Sequence, residues 1–248
     1  MICLIITMYA LLLGSFYNVV GLRVPLKKSI IKPRSSCPYC SHQLTAIELL
    51  PVFSYLIQKG KCRQCHGRIS PLYPFMEALN ASLFVLAYLE FGFNWELLIA
   101  WTLISLFIII TVSDLKYMVI PDKVLLFFAG IFLLERLFIP LTPWWDSLVG
   151  AAVGFGLLLL IAIVSQGGMG GGDIKLYGVI GFVVGLKVMI LSFMLATFFG
   201  AIFGLIALAL KVIEKGKPIP FGPFIALGTI LAYLYYDSIL SAYLSFFY

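Results

Sequence analysis

Two aspartates and four cysteines are the residues of this chain best placed to do chemistry. Asp114 ends a long apolar stretch, and Asp173 closes the run Gly167-Gly168-Met169-Gly170-Gly171-Gly172. A carboxylate at the edge of a hydrocarbon layer is costly, so an acid in such a place is a functional candidate by default. Two of them brought together cannot both ionise cheaply and are expected to share a proton. One can then take a proton from water while the other hydrogen-bonds a scissile carbonyl. That division of labour hydrolyses a peptide bond without a metal or a covalent intermediate.

Other readings of the same residues stay open at this level. Asp173 suits an ordinary N-cap for the helix that follows a flexible glycine loop. Asp122, in Ile120-Pro121-Asp122, is a rival to Asp114 for the pair, although its place after a proline and before a helix also suits capping. Gly170, Gly171 and Gly172 permit positive φ and a close backbone approach, so an extended strand could lie beside Asp173. Asp146 and Asp237 fall on the other side of the topology derived below. Glu135 and Arg136 read as a local polar feature of their helix.

Cys37-Pro38-Tyr39-Cys40 and Cys62-Arg63-Gln64-Cys65 form two CxxC knuckles separated by 21 residues. Four thiolates at this spacing suit tetrahedral Zn²⁺, each pair wrapping half of the ion and leaving no open position. The expected role is therefore structural, holding a loop too small for a core of its own. Two independent thiol–disulfide pairs are the redox alternative. His42 and His66 each follow a knuckle, as outer contacts or exposed side chains rather than ligands. Cys3 sits in an apolar block as an inert membrane residue.

These groups need elements to position them, and the composition says which. Of 248 residues, 62% are hydrophobic and 11% charged, against about a quarter charged in soluble domains. The apolar residues recur in blocks of about 20, the length that crosses a bilayer core of roughly 30 Å as helix. Unbroken rather than alternating runs favour helices over a barrel. The pattern predicts an all-α polytopic membrane protein of about eight transmembrane helices. They begin at Ile2, Tyr73, Trp95, Lys123, Asp146, Ile174, about Leu186 and Phe221. The stretch from Ile174 to Leu210 is too long for one span and is read as a hairpin turning near Gly185-Leu186-Lys187. Gly14 with Asn18, then Gly150, Gly154 and Gly156, then Gly200 with Gly204, read as helix-packing positions. Trp95, Trp144 and Trp145 read as interface anchors. No internal repeat is evident.

Charge orients the helices. Nine of the 17 Lys and Arg lie between Arg23 and Arg68, where Glu48 is the sole acid. The positive-inside bias places that loop in the cytoplasm, in reach of anionic lipid headgroups. No recognition motif accompanies the basic patch, so nucleic acid is not expected as a partner. The first block lacks a basic n-region and is expected to stay as a helix with its N-terminus outside rather than to be removed. Alternation then puts loops 23–72, 114–123, the glycine loop and 211–220 inside. Those regions, with Lys175 just after the glycine loop, hold 15 of the 17 basic residues. The expected organisation is a first helix over 1–22, a small cytoplasmic four-cysteine zinc domain over 23–72 and a membrane core over 73–248.

The residues also carry a resemblance. The chain resembles the prepilin leader peptidases, membrane aspartic proteases with a GxGD-type motif, and within them the competence-associated members of Gram-positive bacteria. Six segments carry the likeness in order. They are Gly14-Ser15-Phe16-Tyr17-Asn18-Val19, the Cys37–Cys65 domain, Gly67 to Pro74 with Glu77, Asp114-Leu115-Lys116 with Ile120-Pro121-Asp122, Met169 to Leu176, and Pro220-Phe221-Gly222-Pro223-Phe224. The resemblance implies Asp114 and Asp173 as the catalytic pair. It implies a prepilin or pseudopilin substrate, its short basic leader cut after a glycine at the cytoplasmic membrane face. It further implies N-methylation of the new terminus from S-adenosylmethionine, for which no residues can be assigned here. Two other classes use the same features differently. An ion-coupled transporter would use the acids as ion ligands and the broken 174–210 segment as a discontinuous helix. A scaffold would use the zinc loop for docking and do no chemistry.

Overall fold

A computed structural model describes residues 1–166, 168–211 and 219–247. Its elements are α1 (Ile2–Arg23), α2 (Phe53–Ile57), α3 (Leu72–Phe91), α4 (Trp95–Tyr117), α5 (Asp122–Phe138), α6 (Asp146–Val164), α7 (Gly171–Ala209) and α8 (Gly222–Phe247). Among the described residues there is no strand, only isolated bridges at Ser36–Gln43 and Lys61–Arg68. Six helices, α1, α3, α4, α6, α7 and α8, are long and apolar enough to cross a membrane. The chain is a multi-pass membrane protein. At 17 residues, α5 reaches roughly 26 Å and is the short member of the set. The loop read as 211–220 lies largely outside the described residues.

With α7 counted as two arms, each of the eight expected helical segments is present. The break falls at Gly185, whose φ of 78° and ψ of 174° leave the helical region. Tyr177 and Phe193 lie in edge-to-face contact with ring centroids 5.8 Å apart. Sixteen residues of straight helix would separate them by about 24 Å, so the two arms fold back on each other. Glycine suits this turn because positive φ carries no Cβ penalty there.

The break frees backbone groups that hydrocarbon cannot solvate. The buried Arg136 guanidinium donates to Val183 O at 2.7 Å and to Ile139 O at 3.2 Å. Asp146 accepts the Leu186 N–H at 3.3 Å. A cation thus meets the C-terminal end of one arm and an anion the N-terminal end of the next, as the helix dipole favours.

The chain forms two compact units, 1–112 and 113–248. In the first, α1 packs along α3. A Cβ on Gly14 would sit 3.0 Å from Glu77 Cα. Asn80 donates to Ala10 O at 2.7 Å and Asn18 to Tyr73 O at 3.1 Å, so polar side chains bond across the helix pair where small residues let it close. Trp101 stacks on Phe84 and donates its indole N–H to Phe84 O. In the second unit, Gly150 abuts the carbonyl of Gly181, and a Cβ on Gly154 would lie 2.5 Å from Tyr177 O. The second arm of α7 packs on α8 through Ser192–Thr229 at 2.6 Å and through Gly200 against Phe221.

Gly156 does not belong to this packing face, contrary to the expectation from sequence. A Cβ there meets nothing within 4 Å. It lies two residues from Gly154 and so projects from a different side of the helix. Gly181→Ala is therefore expected to destabilise the protein in detergent by about 1–3 kcal/mol through overpacking. Gly156→Ala is expected to be neutral or to stabilise by up to about 1 kcal/mol through helix propensity. Thermal unfolding of the two variants checks this, and equal losses would remove the packing argument.

Candidate active site

Asp114 lies in the last turn of α4, where the helix is about to leave the apolar layer. Its side chain is buried, and Oδ2 accepts the backbone N–H of Gly222 at 2.7 Å. Gly222 opens α8, and the first amides of a helix have no intrahelical acceptor. The carboxylate therefore takes an orphan donor at the positive end of a helix. A Cβ at 222 would stand 2.8 Å from that same oxygen, so no side chain fits there without moving the acid. Pro223 follows as a suitable early helical residue.

After Asp114 the chain turns sharply. Met118 N bonds Asp114 O at 2.8 Å with Met118 at φ 53°, and the Ser113 hydroxyl donates to Val119 O at 2.5 Å. This delivers Ile120 to Gly172, whose Cβ, if present, would lie 2.8 Å from that of Ile120. Asp173 sits in the first turn of α7, its amide bonded to Gly170 O at 3.1 Å. It is half-buried, and it lies within electrostatic reach of the Asp114 carboxylate. The two acids picked out from sequence are thus brought together within one compact unit.

Asp122 is not part of that pair. It opens α5 and holds Lys175 through both oxygens, at 2.8 and 2.9 Å, on the exposed surface. The ion pair ties the Ile-Pro-Asp turn to the start of α7. Asp146 serves the Gly185 break instead. The three glycines before Asp173 differ in what surrounds them. Gly172 is crowded by Ile120, a Cβ on Gly170 would lie 3.0 Å from Asp173 Oδ2, and Gly171 meets nothing.

The sequence did not reveal the role of Gly222. Its position between Phe221 and Pro223 marks a helix start, but which carboxylate that start would face depends on tertiary packing. The Lys175–Asp122 pair was hidden for the same reason, since 53 residues separate its members.

In the first unit the four loop cysteines converge, their Sγ atoms all within 4.8 Å of one another. Cys37 and Cys65 are 3.7 Å apart, Cys40 and Cys62 3.9 Å. The cluster can hold a metal ion. Both knuckles have one hydrogen-bond pattern. Cys37 N bonds His42 O and Ser41 N bonds Cys37 O; Cys62 N bonds Gly67 O and His66 N bonds Cys62 O. Ser41 and His66, at φ 59° and 57°, make equivalent turns. The loop therefore contains a local structural repeat that sequence reading missed, because so few side chains are shared. Backbone amides of Cys40 and Tyr39 lower the Cys37 thiol to about 7, and those of Cys65 and Gln64 lower Cys62. At Cys40 the His42 amide is outweighed by burial and the other three sulfurs, which push the thiol up. Two of the four thus favour the thiolate before a metal is bound. His42 bonds Glu48 at 3.2 Å, while His66 is exposed.

Comparison with known proteins gives two adjoining matches. Residues 8–91 match the Bacterial Peptidase A24 N-terminal domain, and residues 101–205 match the Type IV leader peptidase family. A Bacillus subtilis (strain 168) protein named prepilin leader peptidase/N-methyltransferase is 48% identical over 97% of both chains. Proteins of the same name from Aeromonas salmonicida (strain A449) and Pseudomonas aeruginosa are 33% and 32% identical, covering 97% and 95% of this chain and 93% and 91% of their own. No solved structure matches.

The cysteine cluster has a direct test. In the purified protein, Cys37, Cys40, Cys62 and Cys65 are expected to resist alkylation until a chelator is added, with metal released in step. Cys62→Ser is expected to abolish metal retention and expose the remaining thiols. Free alkylation of all four before chelation would show that they hold no metal.

Proposed function

The chain belongs to the type IV leader peptidase family, and on that premise we propose that Asp114 and Asp173 are its catalytic pair and that prepilin-like proteins are its substrates. The observation carrying this reading is the joining of two acids from distant segments at the helix ends of one unit, one of them fixed by the Gly222 amide. With one proton shared between them, one carboxylate draws a proton from the attacking water. The other hydrogen-bonds the scissile carbonyl and later passes its proton to the leaving amine. The Gly222 N–H holds Asp114 in a single orientation through this exchange. Gly171, with open space beside its backbone, leaves room for an extended substrate strand next to Asp173.

The cut falls after a glycine at the end of a short basic leader, on the cytoplasmic side of the membrane. Support for that orientation is the concentration of Lys and Arg in the 23–72, 114–123 and 211–220 regions. We take 1–22 as the first span, 23–72 as the zinc domain and 73–248 as the peptidase core. Zn²⁺ suits the cysteine cluster because a tetrahedron with Zn–S bonds of about 2.3 Å has edges of about 3.8 Å. The observed 3.7 and 3.9 Å separations agree with that. Such an ion is structural, since all four positions are filled by protein. The relatives' names add N-methylation, which we assign to the new N-terminal amine with S-adenosylmethionine as methyl donor.

Intact-mass analysis of a prepilin incubated with the purified protein in detergent tests the assignment. Wild type is expected to remove the leader, and Asp114→Asn and Asp173→Asn to slow removal by about 10²–10⁴-fold. Asp122→Asn should still cleave. Gly222→Val is expected to impair cleavage although both aspartates remain, because its side chain displaces the Asp114 carboxylate. Addition of S-adenosylmethionine should raise the product mass by one methylene. Full activity in the 114 or 173 variant would overturn the pair.

A further inference from the structure

The segment 47–57 of the cysteine-bearing loop is built inside out. Glu48 is buried at 7% exposure, its carboxylate accepting the Thr45 N–H at 2.9 Å, the Thr45 hydroxyl at 2.8 Å and a contact from His42. These partners, the Thr45 amide foremost, hold Glu48 below the usual carboxylate range. Around it, Ile47, Leu49, Leu50, Phe53, Leu56 and Ile57 are all exposed. In α2 Ser54 and Tyr55, and Gln58 just after it, are half-buried, while Phe53, Leu56 and Ile57 are exposed at helical spacing. A surface helix in water does the reverse. Six large aliphatic and aromatic side chains on one short segment are more than scattered surface exposure.

The structure also fixes where this segment lies. Val52 N–H donates to Glu77 Oε2 at 2.8 Å, and Glu77 stands five residues into the membrane-crossing helix α3, roughly 8 Å along its axis. Val52 and Phe53 line an open groove together with Thr7 and Leu11 of α1 and Ala78 and Ala81 of α3. The segment is thus pinned beside two helices long and apolar enough to span a membrane, close to the start of α3, where an interfacial amphipathic helix could lie along the boundary. Lys59 and Lys61 follow immediately, with Arg63 and Arg68 beyond, all exposed. Their stems can run along apolar surface while the charges reach headgroups.

We infer that residues 47–57 form a membrane-surface anchor, inserting their apolar face into the headgroup–acyl boundary of an anionic lipid leaflet and so seating the metal-binding loop on the bilayer. The bilayer is the occupant because α1 and α3 bring it to this face. The neighbouring cations select anionic lipid within it.

The test uses the full chain in phosphatidylcholine–phosphatidylglycerol vesicles, with a photo-cross-linking side chain at position 53, 56 or 57. Lipid adducts are expected at all three, comparable to those at lipid-facing Leu126 of α5, and fewer in phosphatidylcholine alone. Adducts at 126 but none at 53, 56 and 57 would overturn the anchor, as would cross-linking of those positions to another protein in native membranes. Equal yields in both lipids would overturn the anionic preference. Leu56→Asp with Ile57→Asp provides a second reading. It should retain metal, showing that the loop is folded, yet expose amides 53–58 to faster hydrogen exchange in vesicles. Unchanged exchange in a metal-retaining variant would count against the anchor.

Discussion

Hydrocarbon offers no hydrogen bonds, so each polar group placed in it must find its partner within the protein. That constraint explains the positions of the buried polar side chains better than any catalytic argument. Asn80 reaches Ala10 O, Arg136 reaches Val183 O, and Asp146 receives the Leu186 amide. Asp114 and Glu77 follow the same rule with backbone N–H donors from Gly222 and Val52. Each acid costs desolvation, and each is matched by a donor that would otherwise be orphaned at a helix start or a turn. The Asp114 carboxylate, which the proposed mechanism uses for proton transfer, is thereby kept in place by a bond to one of its oxygens.

The elements themselves were legible because hydropathy and length report depth in a bilayer. The excessive length of 174–210 foretold the turn at Gly185, and the charge ledger brought Asp114 and Asp173 to one side. Hydropathy says little about which way a helix faces. Gly150 and Gly154 touch backbone while Gly156 faces open space, although all three looked alike in sequence. The donor from Gly222, the Asp122–Lys175 pair and the outward turn of Leu56 and Ile57 all depend on neighbours far away in the chain. The cysteine cluster was readable from its spacing because two CxxC knuckles constrain four sulfurs almost alone, whereas its repeated backbone pattern has little sequence signature.

A broken helix and acids within a membrane are also the signature of ion-coupled transport. Here the break does not supply ion ligands. Val183 O is taken by Arg136 and Leu186 N–H by Asp146, so a cation resides at the break as part of the protein. The acids lie at helix ends, beside a glycine run and an exposed ion pair, rather than at mid-span. That arrangement suits an extended polypeptide arriving from one face better than an ion crossing between two. A purely scaffolding role leaves the convergence of Asp114 and Asp173 without a purpose, since burying two like charges together is unfavourable unless they share a proton.

The glycines before Asp173 show how one short run answers several demands. Gly172 lets the Ile120 turn pack against the start of α7, which brings the α4 end to the α7 end. Gly170 has no side chain to press on the Asp173 carboxylate. Gly171 is limited by neither contact and leaves the backbone accessible beside the acid. A side chain at 170 or 172 would disturb the surroundings of Asp173, whereas one at 171 would enter the open space that the proposed mechanism gives to a substrate strand. The same tripeptide therefore separates assembly of the site from access to it, and the distinction rests on what surrounds each Cβ position rather than on flexibility.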